Sequence, residues 1–315
     1  MKSERGFALL AALWLLVALS VVGLELGFRA RERRLSAANA IESARATAAA
    51  DAGIADAHAL LADLLIRPGS TARGDLDRAL NPWGGPEVLL GDTVTLERNR
   101  YVVRLSDAGA ALNLRRADEE QLRRLFAALR IDFGKADRLA QAIMDWQDGD
   151  DLHRARGAEQ DDYVATGAAV LPENRPFEHL RKLRHVMGMT AEIYALVRPY
   201  LTLLGTGQVN LNAAPRPVLL ALPGMSERSV DIVLRHRSGR RPPRSLEELA
   251  NELPTQPRAA LQSHFPQLLP LVAFETREVV ATSDGWADGS RLHAVVTGLF
   301  ARGGSHAFLI ARSVE

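Results

Sequence analysis

The chain has 315 residues, with 39 Lys and Arg against 38 Asp and Glu, no cysteine and 47% hydrophobic residues, a length too great for one compact module and comfortable for two or three. A net charge of +1 argues against a polybasic nucleic-acid binder or an acidic disordered tail, and 5% aromatics leave few stacking platforms for single-stranded nucleic acid. Without cysteine there is no disulfide framework, thiolate metal site or cysteine nucleophile.

Phe7 to Leu24 (FALLAALWLLVALSVVGL) carry 18 positions without a charge. As a helix they span about 27 Å, close to the roughly 30 Å of a bilayer's hydrocarbon core. Extension to Phe28 brings in Glu25 near the far boundary, where a carboxylate reaches headgroups. Only MKSERG precedes the run, with Lys2 and Arg5 holding that end on the cytoplasmic side. Arg29, Arg31, Arg33 and Arg34 follow it, against the positive-inside preference, so charge counting alone does not set the orientation.

Three readings compete: a cleaved secretory signal, a plain signal anchor, and a prepilin-type signal. In the third, a short charged leader is cut between Gly6 and Phe7, and the apolar helix stays on the mature protein. The next segment favours it. Ser36 to Leu65 contains no Pro and a single Gly, and is rich in strong helix formers. Ile41, Ala44, Ala48, Ala52, Ala55, Ala59 and Leu60 recur at spacings of three and four, predicting an amphipathic face, and Pro68-Gly69 stops the pattern. Together the two segments read as one helix of roughly 60 residues, on the order of 90 Å. Such a rod suits a helix-packed filament; a linker helix between an anchor and a soluble domain is the alternative.

Residues 70–92, rich in Gly, Pro and Asp, read as loop. Thr93–Leu96, Arg100–Leu105 and Ala110–Leu114 read as short strands. Residues 118–147 switch to a helical period, with Phe133-Gly134 as the turn of a hairpin, and Glu192–Leu201 reads as another helix. A second helical unit covers 208–250: Val209-Asn210-Leu211, a helix started by Pro215 and Pro217, the turn Pro223-Gly224-Met225, and a helix capped by Ser226. It weakly repeats the first, since Leu112-Asn113-Leu114 also leads into a helical hairpin. Leu268–Ala281, Arg291–Phe300 and His306–Arg312 read as three closing antiparallel strands, with Asp284–Gly289 and Arg302–Ser305 as turns. The sum is α+β, with helical modules inserted between early and late strands.

The sharpest chemical feature is acidic. Between 145 and 162 lie Asp145, Asp148, Asp150, Asp151, Glu159, Asp161 and Asp162. Hard cations such as Ca²⁺ take six to eight oxygens from flexible loops, and closely spaced carboxylates supply them. This is no EF-hand, because the D-x-[DN]-x-[DN]-G order and the twelfth-position Glu are missing; a solvated loop after a helix is the plain alternative. The Pro223-Gly224-Met225 turn resembles the phosphate-contacting turn of hairpin-type DNA binders, with Ser226 in place of the second Gly and a basic run at Arg235, Arg237, Arg240, Arg241 and Arg244. A purely structural turn is the other reading. No HExxH, GxSxG or P-loop is present, and no nucleophile–base pair can be argued from the eight scattered His.

On these residues the chain resembles the minor pseudopilin K family of type II secretion systems. The resemblance rests on Arg5-Gly6-Phe7-Ala8-Leu9-Leu10 with Trp14-Leu15-Leu16, on Asp145-Trp146-Gln147-Asp148 and on Gly157-Ala158-Glu159. Asn174-Arg175-Pro176-Phe177, Pro199-Tyr200-Leu201 and Val209-Asn210-Leu211-Asn212-Ala213-Ala214-Pro215 complete it. The leader is shared by all prepilin-like proteins; its combination with the Asn-Leu-Asn-Ala-Ala segment is far more specific.

The resemblance implies a pilin-like α+β scaffold, with a long N-terminal helix, an antiparallel sheet and a large SAM-like helical insertion. It implies leader cleavage and N-methylation at Gly6 and Phe7. It places the protein as a single-pass subunit of the bacterial inner membrane with a periplasmic head. Partners are minor pseudopilins of the I and J types at a pseudopilus tip, the major pseudopilin and the prepilin peptidase. Calcium in some relatives points to Asp148, Asp150, Asp151, Glu159, Asp161 and Asp162 as metal ligands, although relatives often carry Glu-Asp after Gly-Ala where this chain has Glu159-Gln160. The expected domains are 1–6 leader, 7–28 membrane helix, 29–110 first pilin-like part, 111–205 and 206–266 the two SAM-like units, and 267–315 the closing strands.

One absence has a physical reading. Most pilin-like proteins carry Glu at the fifth mature position, to pair a neighbour's N-terminal ammonium inside the bilayer; here that residue is Ala11. The sequence therefore reads as a non-enzymatic tip subunit. A membrane-anchored DNA-binding protein of a competence or type IV pilus system is the main rival, and a secreted calcium-dependent hydrolase the third.

Overall fold

The computed structural model describes residues 3–66, 88–89, 93–239, 241–303 and 306–314, leaving aside the side chains of 3–12, 18, 64–66 and 88–89. The first described element is a single helix, α1 (Ser3–Ile66), of 64 residues. Its composition explains its length, for between Ser36 and Ile66 only Gly53 is a poor helix former. Pro68-Gly69, expected to stop it, lie outside the described residues.

After α1 come β1 (Val88–Leu89), β2 (Val94–Leu96), β3 (Asn99–Asp107) and β4 (Leu112–Asn113). A helical body follows: α2 (Glu119–Ala128), α3 (Phe133–Gln147), α4 (Gln160–Ala165), α5 (Ala191–Val197), β5 (Leu201–Thr202), β6 (Val209–Asn210), α6 (Arg216–Ala221), α7 (Glu227–Ser238), α8 (Leu246–Asn251), α9 (Thr255–Ser263), α10 (Phe265–Leu268) and β7 (Val272–Ala273). The chain closes with β8 (Glu278–Ala287), β9 (His293–Gly303) and β10 (His306–Val314).

The main sheet runs β1-β3-β8-β9-β10, with β2 also on β3, and all its pairings are antiparallel. Strands β3 and β8 are direct neighbours, in register from Asn99 opposite Ala287 to Asp107 opposite Val279. The helical body is thus spliced between two adjacent strands. This is the expected α+β architecture: long helix, antiparallel sheet, inserted helices.

Helix α1 lies across the face of the sheet formed by Tyr101, Val103, Leu105, Val279, Ala281, Val296 and Phe300, which are all buried. The helix residues against them are Ala46, Ala49, Ala50, Gly53, Ile54, Ala57 and Leu61. This corrects the face read from the sequence, where Ile41, Ala44, Ala48, Ala55 and Ala59 are exposed and Ala52 and Leu60 half-buried. In an Ala-rich helix several faces show the same spacing, and the sheet selects the one that lets backbones approach. A Cβ on Gly53 would overlap Ser283 Oγ, and one on Gly285 would collide with the backbone N of Ala50 and sit 2.6 Å from Ala46 O. Along this seam Tyr101 donates to Asp56, and Arg312 forks onto Asp51 at 2.7 and 2.8 Å.

Three further expectations shift. The strand expected over Leu268–Ala281 is α10, then β7, then the start of β8, while Asp284–Ala287, expected in a turn, complete β8. Glycine weakens a strand in general, but at Gly285 its bare backbone is what the crossing helix requires. Phe133-Gly134 open α3, and the hairpin turn is instead Leu129–Asp132, with Arg130 at φ 61 and Asp132 capping Lys135 N.

The helical body is two copies of one motif. Strand β4 pairs in parallel with β5, and β6 with β7. Leu114 N donates to Thr202 O and Leu211 N to Ala273 O. Asn113 Oδ1 accepts from Arg115 N and Asn210 Oδ1 from Asn212 N, while each Asn carbonyl accepts from the third and fourth residues on. Gly224 (φ 72) before the Ser226 cap matches Arg130 (φ 61) before the Asp132 cap. The two units share one apolar core, and Arg124 of α2 donates to Leu222 O after α6.

Candidate functional site

Three places could carry function: the exposed half of α1, the acidic segment after α3, and the turn between α6 and α7. Leu13 to Phe28 of α1 are exposed wherever their side chains are described, Leu13, Trp14, Leu15, Leu16, Leu24 and Phe28 among them. Among the described residues one helix, this one, is long and apolar enough to cross a membrane. Gly6, Phe7 and Ala11 lie in its first turns, and their side chains fall outside the described residues.

The acidic segment is built on Trp146, which stacks on Phe177 at 6.0 Å and meets Tyr163 edge-on at 5.5 Å, all three buried. This apolar wall explains the spacing of the motifs around it. Asp145, beside Trp146 at the end of α3, is 0% exposed. The loop can lie against it only because residue 157 is Gly, where a Cβ would overlap the Asp145 carboxylate. Arg154 bridges Asp145, at 2.5 Å, and Asp148. Burial opposes the Arg154 charge, but the hydrogen bonds to Asp148 and Asp145 outweigh it and hold the guanidinium above its ordinary range.

Glu159 stands 2% exposed at the start of α4. Burial, and then repulsion from Asp145, Asp148 and Asp151, push its carboxyl up to about 7. Both Glu159 carboxylate oxygens, Asp148 Oδ1 and Asn174 Oδ1 are buried without a hydrogen-bond partner. Asp162 Oδ2 accepts from Glu159 N at 3.0 Å and lies 3.2 Å from His153 Nδ1. Asp150 Oδ1 accepts from Leu152 N, and Asn174, at φ 46, donates to Asp150 O and Asp151 Oδ1. Asp161 is exposed on α4.

Of the six carboxylates singled out in the sequence, Asp148 and Asp151 therefore bear on Glu159, while Asp150, Asp161 and Asp162 serve the loop and helix start. Unpartnered buried carboxylate and amide oxygens are the donor type a hard cation takes, so the residues fit calcium in kind. As placed, no group of three carboxylates or imidazoles among the described residues could enclose an ion, and Arg154 supplies the positive charge. The sequence reading missed Arg154 and Asn174, because nothing in linear spacing marks which cation or amide folds back onto an acidic loop.

The Pro223-Gly224 turn is packed. A Cβ on Gly224 would lie 2.7 Å from His264 Cβ, and Met225 is buried. Arg237 of the basic run is buried too and donates to Ala213 O and Ala214 O, so it holds the Asn210 turn. Burial alone holds its guanidinium below the ordinary arginine range.

An exposed apolar helix that continues as the spine of an antiparallel sheet, with a duplicated helical body spliced into that sheet, defines a pilin-like protein with a membrane-type helix. Residues 102–206 match the family model described as type II secretion system (T2SS), protein K. The chain is 28% identical over 235 residues to type II secretion system protein K of Klebsiella pneumoniae, covering 69% of each chain. It is 27% identical over 247 residues to that of Pseudomonas aeruginosa, covering 73% of this chain and 72% of the other. In fold it matches a chain of the GspK-GspI-GspJ complex from the type 2 secretion system of enterotoxigenic Escherichia coli. That match has TM-score 0.60 at 18% identity and covers 91% of this chain and 99% of that one. The family resemblance read from the residues is thereby shown, and the chain resembles type II secretion system protein K in sequence and in fold.

Proposed function

We propose that the chain is a minor pseudopilin of a type II secretion system, a non-enzymatic subunit at the tip of a periplasmic pseudopilus and needed for its assembly and for protein export. The observation that carries this reading is the continuity of α1 from its exposed apolar half into the seam with the sheet. A prepilin peptidase cut between Gly6 and Phe7, followed by N-methylation, would leave one anchored rod in the inner membrane and the head in the periplasm. The helical body between β3 and β8 adds bulk awkward to stack inside a filament, and Ala11 offers no counter-ion to a neighbour's N-terminus. Minor pseudopilins of the I and J types are the proposed tip partners, with the major pseudopilin below them.

N-terminal sequencing of the native protein tests the processing: a start at N-methylated Phe7 is expected, and a start beyond Ala30 would end the reading. Co-purification with the I- and J-type subunits tests the placement. Ala11→Glu is expected to add nothing to that assembly; if assembly required it, the tip position would be lost. The DNA-binding alternative needs free backbone N–H groups at Gly224, and the packing of that turn on His264 speaks against it.

For the acidic segment we infer a calcium site that would draw its oxygens from Asp148, Glu159 and Asn174, with the loop closing further on the ion than it does as placed. Bound calcium would bring to Glu159 the positive charge that Arg154 gives Asp145 and Asp148. The four buried oxygens without partners support it.

A further inference from the structure

The four arginines that follow the apolar half of α1 are used neither by the sheet nor by the helical body. Arg29, Arg31, Arg33 and Arg34 are all exposed. Arg29 pairs with Glu25 one turn earlier, while Arg31, Arg33 and Arg34 make no ion pair with the described residues. We propose that this collar is a binding site for the phosphates of anionic phospholipids, which makes α1 selective for the lipid at its head-proximal end. The proposal rests on the reading that α1 crosses a membrane.

Three observations argue for it. The first is depth. From Phe7 to Phe28 the helix rises about 32 Å, and from Arg29 to Arg34 about 8 Å more. A hydrocarbon core of about 30 Å flanked by a headgroup layer of roughly 5–8 Å has those two thicknesses. The second is angular spread. At about 100° per residue the four side chains cover roughly 200° of the circumference. A protein neighbour packs on one face of a helix, whereas lipid surrounds it, so the spread favours headgroups over a partner's acidic helix. The third is sign. Arg31, Arg33 and Arg34 outweigh Glu32 among them and oppose the positive-inside preference, and such an excess is tolerated at that end when phosphates compensate it.

The test uses the full chain in phosphatidylcholine liposomes, with Trp14→Phe and Phe28→Trp placing the reporting indole beside the collar, and the signal of Trp83, Trp146 and Trp286 is subtracted with the chain carrying Trp14→Phe alone. Its fluorescence is quenched with brominated phosphatidylglycerol or brominated phosphatidylcholine. The expected result is about five-fold or greater preference for the anionic lipid. That preference should fall to near unity with Arg31→Gln, Arg33→Gln and Arg34→Gln together, and should weaken at 0.5 M salt in the unaltered collar. Equal quenching by the two lipids, or a preference that survives the triple substitution, overturns the collar. A collar that shows no lipid preference but whose substitution abolishes co-assembly is a protein contact, and that also overturns it. Quenching by neither lipid overturns the membrane span itself, which keeps the two failures distinct. Should the triple variant not reconstitute, the salt titration of the unaltered collar decides alone.

Discussion

The carboxylate of Asp107 accepts a 2.7 Å hydrogen bond from the side-chain amide of Asn210, 103 residues further along the chain. The same oxygen accepts from Thr276 Oγ1 at 2.6 Å, and the other from Gly109 N at 2.7 Å. Asp107 ends β3, where the chain leaves the sheet, and Thr276 lies between β7 and β8, where it returns. One buried carboxylate thus joins the exit, the return and the second helical unit, and fixes the head on its spine.

Removing this clasp has a definite expected cost. Asn210→Ala deletes the Asp107 partner and the turn acceptor together, and should lower stability by about 1–3 kcal/mol. Asn210→Asp should cost more at pH 7, because two buried carboxylates then face each other, with recovery as the pH falls and one of the pair takes up a proton. Thermal unfolding of the detergent-solubilised chain reads both. Asn113→Ala, which lacks the Asp107 partner, should cost less than Asn210→Ala, and equal costs would deny the clasp its role.

The helix–sheet seam gives a sharper contrast. Gly285→Ala drives a Cβ into the backbone of α1 and should destabilise by about 1–3 kcal/mol through overpacking. Gly149→Ala, with open space around its Cβ position, should change little. Comparable melting shifts for the two would mean that α1 does not sit as closely as described.

Glu159 predicts a pH dependence of fixed sign. Its folded value, about 7, lies above the ordinary carboxylate range, so the folded state binds the proton more tightly than the unfolded one. The stabilisation is fully present below the unfolded value and is lost as the pH rises towards 7. Glu159→Gln should therefore raise the melting temperature at pH 8 and do little at pH 4. If calcium uses this carboxylate, millimolar Ca²⁺ should stabilise the unaltered chain over EDTA more at pH 8 than at pH 5.5, and Glu159→Gln should blunt that gain. A melting temperature indifferent to calcium at both pH values would remove the metal site.

Arg154 and an ion would answer the same need. Arg154→Gln leaves Asp145 buried without its cation and should cost about 3 kcal/mol or more. Added Ca²⁺ should recover part of the loss; recovery by Mg²⁺ to the same extent would point to general screening and not to a site.

The broad plan was legible in residue types alone. Eighteen uncharged residues followed by an Ala-rich, Pro-free stretch can hardly be anything but a long helix, and Ser226 caps its helix as its type dictates. The Asn-centred segments were read only as strand ends leading into helices, although their turns follow from the same local chemistry, since an Asn side chain bonds its own backbone two residues on. The remainder was settled by contacts between residues distant in sequence. Alanine spacing could not choose among the faces of α1, because the choice was made by Gly285 and Ser283 on the sheet. Asp284–Ala287 looked like a turn until the crossing helix supplied a reason for glycine in a strand. The carboxylates after α3 were countable, but which of them would be stranded depended on where Arg154 and Asn174 folded back. Short-range geometry is written in residue types, whereas close approach and charge compensation depend on which distant atoms arrive.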